Sequence, residues 1–230
     1  MGQAFLPAAS VLSFRAASRS AQRDGRRVEE SAFVLAFLCI PGGVVPVLQS
    51  GVRPMNSEAK LRFIEILQQA YSGERAAAYA YRGHWHSLRD PDDRSRVRTI
   101  EEEEWHHRRL VGEMLRQLGA RPNALREVRA LLVGRTLGLL CHVSGWFAPM
   151  YAAGRLESSN IREYEEAARR AKDCDRDDFL PCLLAMAVVE WEHERYFRSK
   201  VLSHPWARYI PLWEAPPPKE RIRAAYGGLG

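Results

Sequence analysis

Apolar residues recur at helical spacing from Ser57 to about Arg89, with Ile64, Leu67, Tyr71, Ala78, Tyr81, Trp85 and Leu88 on one stripe. Glu74 occupies the slot between Tyr71 and Ala78. Asp90, Pro91 and Asp92 end this helix, because proline has no amide hydrogen to continue it. A second helix is predicted from about Asp93 to Leu118, with Ile100, Val111, Met114 and Leu118 facing inward. Glu104 and His107 fill the two missing positions of that stripe, and Gly119 and Pro122 stop the helix.

A third helical region runs from about Leu125 to Ala171, too long for one straight helix, and Pro149 is where a break is expected. Val143, Trp146, Met150, Ala153, Ile161, Tyr164 and Ala168 share its stripe, and Glu157 sits among them. The fourth helix opens near Asp178 with Pro181 in its first turn, and turns Leu183, Met186, Phe197 and Val201 inward. Glu190 and His193 again interrupt the stripe. No segment shows strand alternation. The predicted class is all-α, with a four-helix bundle over residues 55–202.

The flanks read differently. Residues 1–54 combine Ala, Ser and Arg with an apolar run, Ala32 to Leu48, broken by Pro41, Gly42, Gly43 and Pro46. Glu29 and Glu30 stand where a signal peptide would be positive, and the run is too interrupted for a membrane span. These residues are expected to be a disordered or poorly packed leader or a mis-annotated start, since helical pattern begins only after Met55. Residues 203–230, with Pro205, Pro211, Pro216, Pro217 and Pro218, are expected to pack over the bundle as an extended tail.

The net charge of +6 comes half from the leader: residues 1–54 hold six Arg and Lys against three Asp and Glu, the rest 28 against 25. Basic and acidic residues are interspersed with no basic face, which argues against nucleic acid as a partner. Cys39, Cys141, Cys174 and Cys182 form no CxxC pair, and reduced thiols in a cytoplasmic protein are the expectation.

The chemistry lies in the polar residues on dry stripes. Burying an ionised carboxylate alone costs several kcal/mol or more, as an order of magnitude. Glu74, Glu104, Glu157 and Glu190 with His107 and His193 would repel one another or protonate without a cation, whereas two ferrous ions would balance the four carboxylates and accept both ligand types. Residues three apart on a helix project to nearly the same side, so Glu104 with His107, and Glu190 with His193, can bind together. The order, Glu then Glu-x-x-His, twice over, is that of ferritin-like di-iron bundles.

Blander readings compete at several positions. In the run Glu101 to Glu104, Glu101 and Glu102 are expected on a solvated face, and Glu103 with His106 is the rival register, though its stripe is less apolar. Glu192 and Glu194 are expected in surface pairs, His142 as a satisfied core histidine, and His84, His86 and His204 at the periphery. Tyr164, two turns beyond Glu157, is placed to bond a ligand.

These segments resemble the demethoxyubiquinone hydroxylases, over roughly Leu61 to Val201. Ser72, Gly73 and Glu74 followed by Arg75, Ala76 and Ala77 are similar to that family's first-helix motif. Ile100 through His107 resembles its second, Glu157 with Tyr164 its third, and Glu190 with His193 its closing Glu-x-x-His. The family usually has an Asp just before the last helix's Glu and a His before the third helix's Tyr, where this chain has Val188, Val189 and Glu163. The resemblance implies two Fe ions held by the six residues and O2-dependent hydroxylation of a hydrophobic, quinone-like ring with electrons from a reductant. A ferritin-like ferroxidase or iron-handling protein, and a non-catalytic helical bundle whose acids make ion pairs, are the alternatives. The apolar surplus at Leu131, Leu132, Leu137, Leu139, Leu140, Val143, Trp146 and Phe147 leads to an expected peripheral membrane association, and self-association stays open.

Overall fold

The computed structural model describes residues 57–224, so expectations for residues 1–54 and for the last six residues lie outside the described part. Among the described residues there are six α-helices and no strand: α1 Ser57–Ser87, α2 Pro91–Gln117, α3 Ala124–Leu140, α4 Phe147–Asp173, α5 Leu180–Ser203 and α6 Lys219–Ala224. The all-α expectation holds. Local chemistry explains the breaks. Asp90 caps α2, its carboxylate accepting from Asp93 N (2.8 Å), with Pro91 in the first turn. Gly119 ends α2 with φ +70°, a left-handed conformation that favours glycine. Asn123 caps α3 through Arg126 N (3.1 Å).

Helices α1, α2, α4 and α5 form the bundle. Successive contacts run in opposite directions along α1 and α2, from Trp85 with Glu101 to Tyr71 with Arg108. The same holds for α1 and α4, where Tyr81 meets Glu157 and Tyr164 meets Glu74. Between the four helices Leu67, Ile100, Met150, Leu183, Phe197 and Val201 are fully or almost fully buried. Burial of this apolar area is the main favourable contribution to the fold.

The third helical region departs from expectation. It is two helices, and the break spans Cys141–Trp146, with Gly145 at φ +75°, while Pro149 lies in the first turn of α4, where its missing amide hydrogen costs nothing. Only the second of the two joins the bundle. Helix α3 packs on the outer side of α1 through Ala130, Gly134 and Gly138, and Val143, expected on an inner stripe, is exposed. Glu127 ties its start to α1 and α2: Arg108 Nη2 (2.6 Å), Arg75 Nη1 (3.0 Å) and Ser72 Oγ (2.8 Å) all donate to it.

This contact depends on glycine. A Cβ on Gly134 would stand 2.4 Å from the carbonyl oxygen of Ala76, and one on Gly83 2.2 Å from that of Gly138. The obstacles are backbone and cannot rotate away. Gly134→Ala should therefore lower stability by about 1–3 kcal/mol, read from the urea midpoint. Gly73→Ala, whose Cβ meets nothing within 4 Å, should instead raise it by up to about 1 kcal/mol through helix propensity. Equal effects at the two positions would contradict the close approach.

The tail is not wholly extended: a 3-10 turn spans Pro205–Arg208, residues 211–218 carry no regular element, and α6 follows, with its Ile222 fully buried. Trp213 lies against Gly154 and donates its indole N–H to Glu194 (2.7 Å). Several other expectations are overturned. Glu194 is fully buried in an ion pair with Arg198 (2.6 Å), because the tail covers that face. Glu101 is 5% exposed, held by Arg82 Nε (2.8 Å), Trp85 Nε1 (2.7 Å) and Trp105 Nε1 (3.1 Å). His84 is buried against Tyr81 and Phe197, and burial lowers its imidazole to about 4, whereas His142 is exposed. Cys141, Cys174 and Cys182 form no disulfide among the described residues.

Candidate metal centre

Each bundle helix delivers its predicted residues to one place: Glu74 from α1, Glu104 and His107 from α2, Glu157 from α4, Glu190 and His193 from α5. All six lie between 0% and 4% exposed. Their oxygen and nitrogen atoms form two groups, Glu74, Glu104, His107 and Glu190, and Glu104, Glu157, Glu190 and His193, within each of which the atoms lie within 4.8 Å of one another. Glu104 and Glu190 belong to both. The residues present fit a pair of cations, which Glu104 and Glu190 would help to hold together. The register Glu104 with His107 is therefore the inward one.

The donor atoms converge without satisfying one another. Glu74 Oε2, both oxygens of Glu104, His107 Nδ1, Glu190 Oε1 and His193 Nδ1 are buried and lack a hydrogen-bond partner. His107 Nδ1 lies 2.8 Å from Glu190 Oε1, and His193 Nδ1 lies 3.3 Å from Glu104 Oε1. The short His107 contact lacks hydrogen-bond alignment and is better read as two donors aimed at a common point. Unsatisfied buried polar atoms are rare, and several around one centre are what an ion would satisfy.

Electrostatics point the same way. Burial, and then repulsion from Glu190 and Glu74, hold the Glu104 carboxyl well above the ordinary range, and burial does the same for Glu157. Burial also raises Glu74, partly offset by Glu104 and His107. Burial acts on Glu190 too, but contacts with His107 and His193 outweigh it and hold its carboxyl well below normal. Burial would lower His193, yet its Glu103 and Glu190 partners raise it to about 9.

Groups around the six keep them oriented. Tyr164 donates to Glu74 and Tyr81 to Glu157, so each lone glutamate is bonded by the tyrosine seven residues beyond the other one. Burial pushes both phenols well above their usual range, which keeps them protonated as donors. His193 Nε2 donates to Glu103 Oε2 (2.7 Å), which Arg96 also reaches (3.3 Å), and this leaves Nδ1 free for a metal. Asn160 Nδ2 donates to Glu157 (3.0 Å) and Glu190 (3.5 Å). Tyr164 was foreseen from sequence. The sequence offers Glu103 only as a rival to Glu104 and Tyr81 only as core, and periodicity does not single out Asn160. The seven-residue spacing from Glu74 to Tyr81, repeated from Glu157 to Tyr164, was the available signal for Tyr81.

Residues 62–201 match the family described as ubiquinone biosynthesis protein COQ7. Neither the curated proteins nor the solved structures that were searched contain a match. The matched span begins in α1 and ends in α5, and so includes all six candidate ligands. The chain belongs to the demethoxyubiquinone hydroxylase family, a ferritin-like di-iron family of ubiquinone biosynthesis.

Proposed function

We propose that this chain is a di-iron, O2-dependent monooxygenase that hydroxylates a hydrophobic, quinone-like ring. The observation that carries this reading is the convergence of unpartnered donor atoms into two groups that share Glu104 and Glu190. Glu74, Glu104, His107, Glu157, Glu190 and His193 are the ligands in this account, and four carboxylates balance two ferrous ions. The irons, when bound, supply the reaction with O2 that no side chain can perform. The protein's own contribution is to hold the ligands, through Tyr81, Tyr164, Glu103 and Asn160, and to exclude bulk water. The overall balance takes one O2, two electrons and two protons to convert a ring C–H to C–OH and release one water.

A greasy substrate suggests a membrane source. No helix among the described residues is long and apolar enough to cross a membrane. Helix α3 and the turn after it present Leu125 (80% exposed), Leu132 (62%), Leu139 (72%) and Val143 (80%). An apolar face of this kind suits contact with a lipid surface, lying on it. Arg135 within the helix argues against insertion across it.

The test is to reduce the iron-loaded protein, add O2 and vesicles carrying a demethoxyquinone, and look for a product heavier by one oxygen. Leu139→Glu should lower both vesicle binding and product, and leave iron content unchanged. Oxygen consumption with iron oxidation and no hydroxylated quinone would replace this reading with ferroxidase chemistry. Equal vesicle binding by Leu139→Glu and the unaltered protein would remove the membrane contact.

A further inference from the structure

The six candidate ligands are so deeply buried that an ion must cross packed side chains to reach them. One opening leads toward them. A cavity of about 50 Å³ lies between α1 and α4, lined by Gly73, Glu74, Ala77, Leu156, Asn160 and Glu163 among others. Gly73 and Leu156 on its rim are exposed to solvent, while Glu74 at its inner end is 4% exposed with Oε2 unpartnered. That volume has room for about three or four waters, enough for a small ion with part of its hydration shell.

Glu163 lines the same cavity as Glu74. It is not one of the six, yet its Oε1 is buried without a hydrogen-bond partner. Burial disfavours its charged form, as does repulsion from Glu74 and Glu190, and Gln69 and Arg126 offset this only in part. A desolvated carboxylate facing other carboxylates is unfavourable by itself, and a passing cation relieves it. The cavity walls contributed by Ala70, Ala77 and Leu156 are apolar, and low-dielectric walls focus the field of the carboxylates along the opening.

We propose that this cavity is the path by which divalent metal ions reach the paired site, with Glu163 as a transit ligand that passes them to Glu74. The inference rests on the di-iron reading of the site. Glu163 binds an incoming ion through its unpartnered oxygen, exchanges part of the ion's water, and releases it inward, where more donors complete the coordination. It affects how fast the site fills and not how much it holds.

Loading speed and final occupancy separate this role from that of a resident ligand. Metal-free protein is mixed with Co²⁺ in a stopped-flow instrument, the visible cobalt absorption is followed, and bound cobalt is counted at the end. Glu163→Gln should load about tenfold more slowly, in line with the loss of one focusing charge, and still reach the same end point. Gly73→Leu is a second variant. A Cβ there meets nothing within 4 Å, so the longer side chain obstructs the rim without disturbing the helix. It should slow loading too, again with an unchanged end point. Added salt should slow the unaltered protein more than Glu163→Gln.

Loading of both variants at the unaltered rate would overturn the route. So would an end point lowered in Glu163→Gln, which would make Glu163 a resident ligand. If the unaltered protein takes up no metal at all, the di-iron reading fails and the route falls with it. Normal uptake by the unaltered protein with unchanged variants refutes the route alone.

Discussion

Glu104→Ala should strip the protein of iron, from about two ions per chain to well under one, because a carboxylate shared by both donor groups is removed. Glu190→Ala should do the same. The neighbouring residues provide a graded comparison. Glu103→Gln leaves both donor groups intact but loosens the hold on His193, so metal affinity should fall about 10–100-fold while saturating iron still fills the site. Glu101→Ala should leave iron content unchanged and cost stability, since it breaks contacts to Arg82, Trp85 and Trp105 that lie outside the donor groups. Iron counting after anaerobic loading, with urea unfolding in parallel, reads all four variants. If Glu103→Gln empties the site and Glu104→Ala does not, the metal sits on another face of α2.

Iron loading should raise the melting temperature by roughly 5–15 °C. A ligand that binds only the folded state at 100 to 1,000 times its Kd contributes about 2.7–4.1 kcal/mol, and a chain of this size gains about 2–4 °C per kcal/mol. The metal-free site makes the effect large, because three of its four carboxyls are pushed upward by burial and by one another. Glu104→Gln supplies the control. Its carboxyl is disfavoured by burial, Glu190, Glu74 and Glu157 together, with no partner among the largest influences pulling the other way. Replacing it should stabilise the metal-free protein and abolish the gain on loading. Calorimetry with and without a chelator measures both. A melting temperature indifferent to iron in the unaltered protein would mean that these acids are satisfied without metal.

The candidate centre was legible because helical periodicity is a local property. Glu104 and His107, or Glu190 and His193, interrupt apolar stripes in phase, and that phase survives folding unchanged. What periodicity does not record is which helix a stripe faces. Glu101 reads as solvated within a charge run, yet its partners Arg82 and Trp85 lie on α1 and only the packed pair reveals them. Glu194 is buried for a similar reason, covered by Trp213 from the tail. Helix α3 was unreadable as a separate element because its buried side consists of Ala130, Gly134 and Gly138. Small residues leave no apolar stripe, and what they permit is close approach of two backbones. Pro149 misled because proline both breaks helices and begins them, and here it begins one.

If the six donor residues hold two metal ions, with Glu104 and Glu190 serving both, the iron itself will show it. Mössbauer spectroscopy of protein loaded anaerobically with ⁵⁷Fe²⁺ and washed free of excess, with iron and protein counted on the same sample, tests it most directly. About two ferrous ions per chain are expected in nitrogen- and oxygen-rich sites, magnetically coupled on oxidation. A well-folded sample with a single uncoupled iron per chain, or with none, would contradict it.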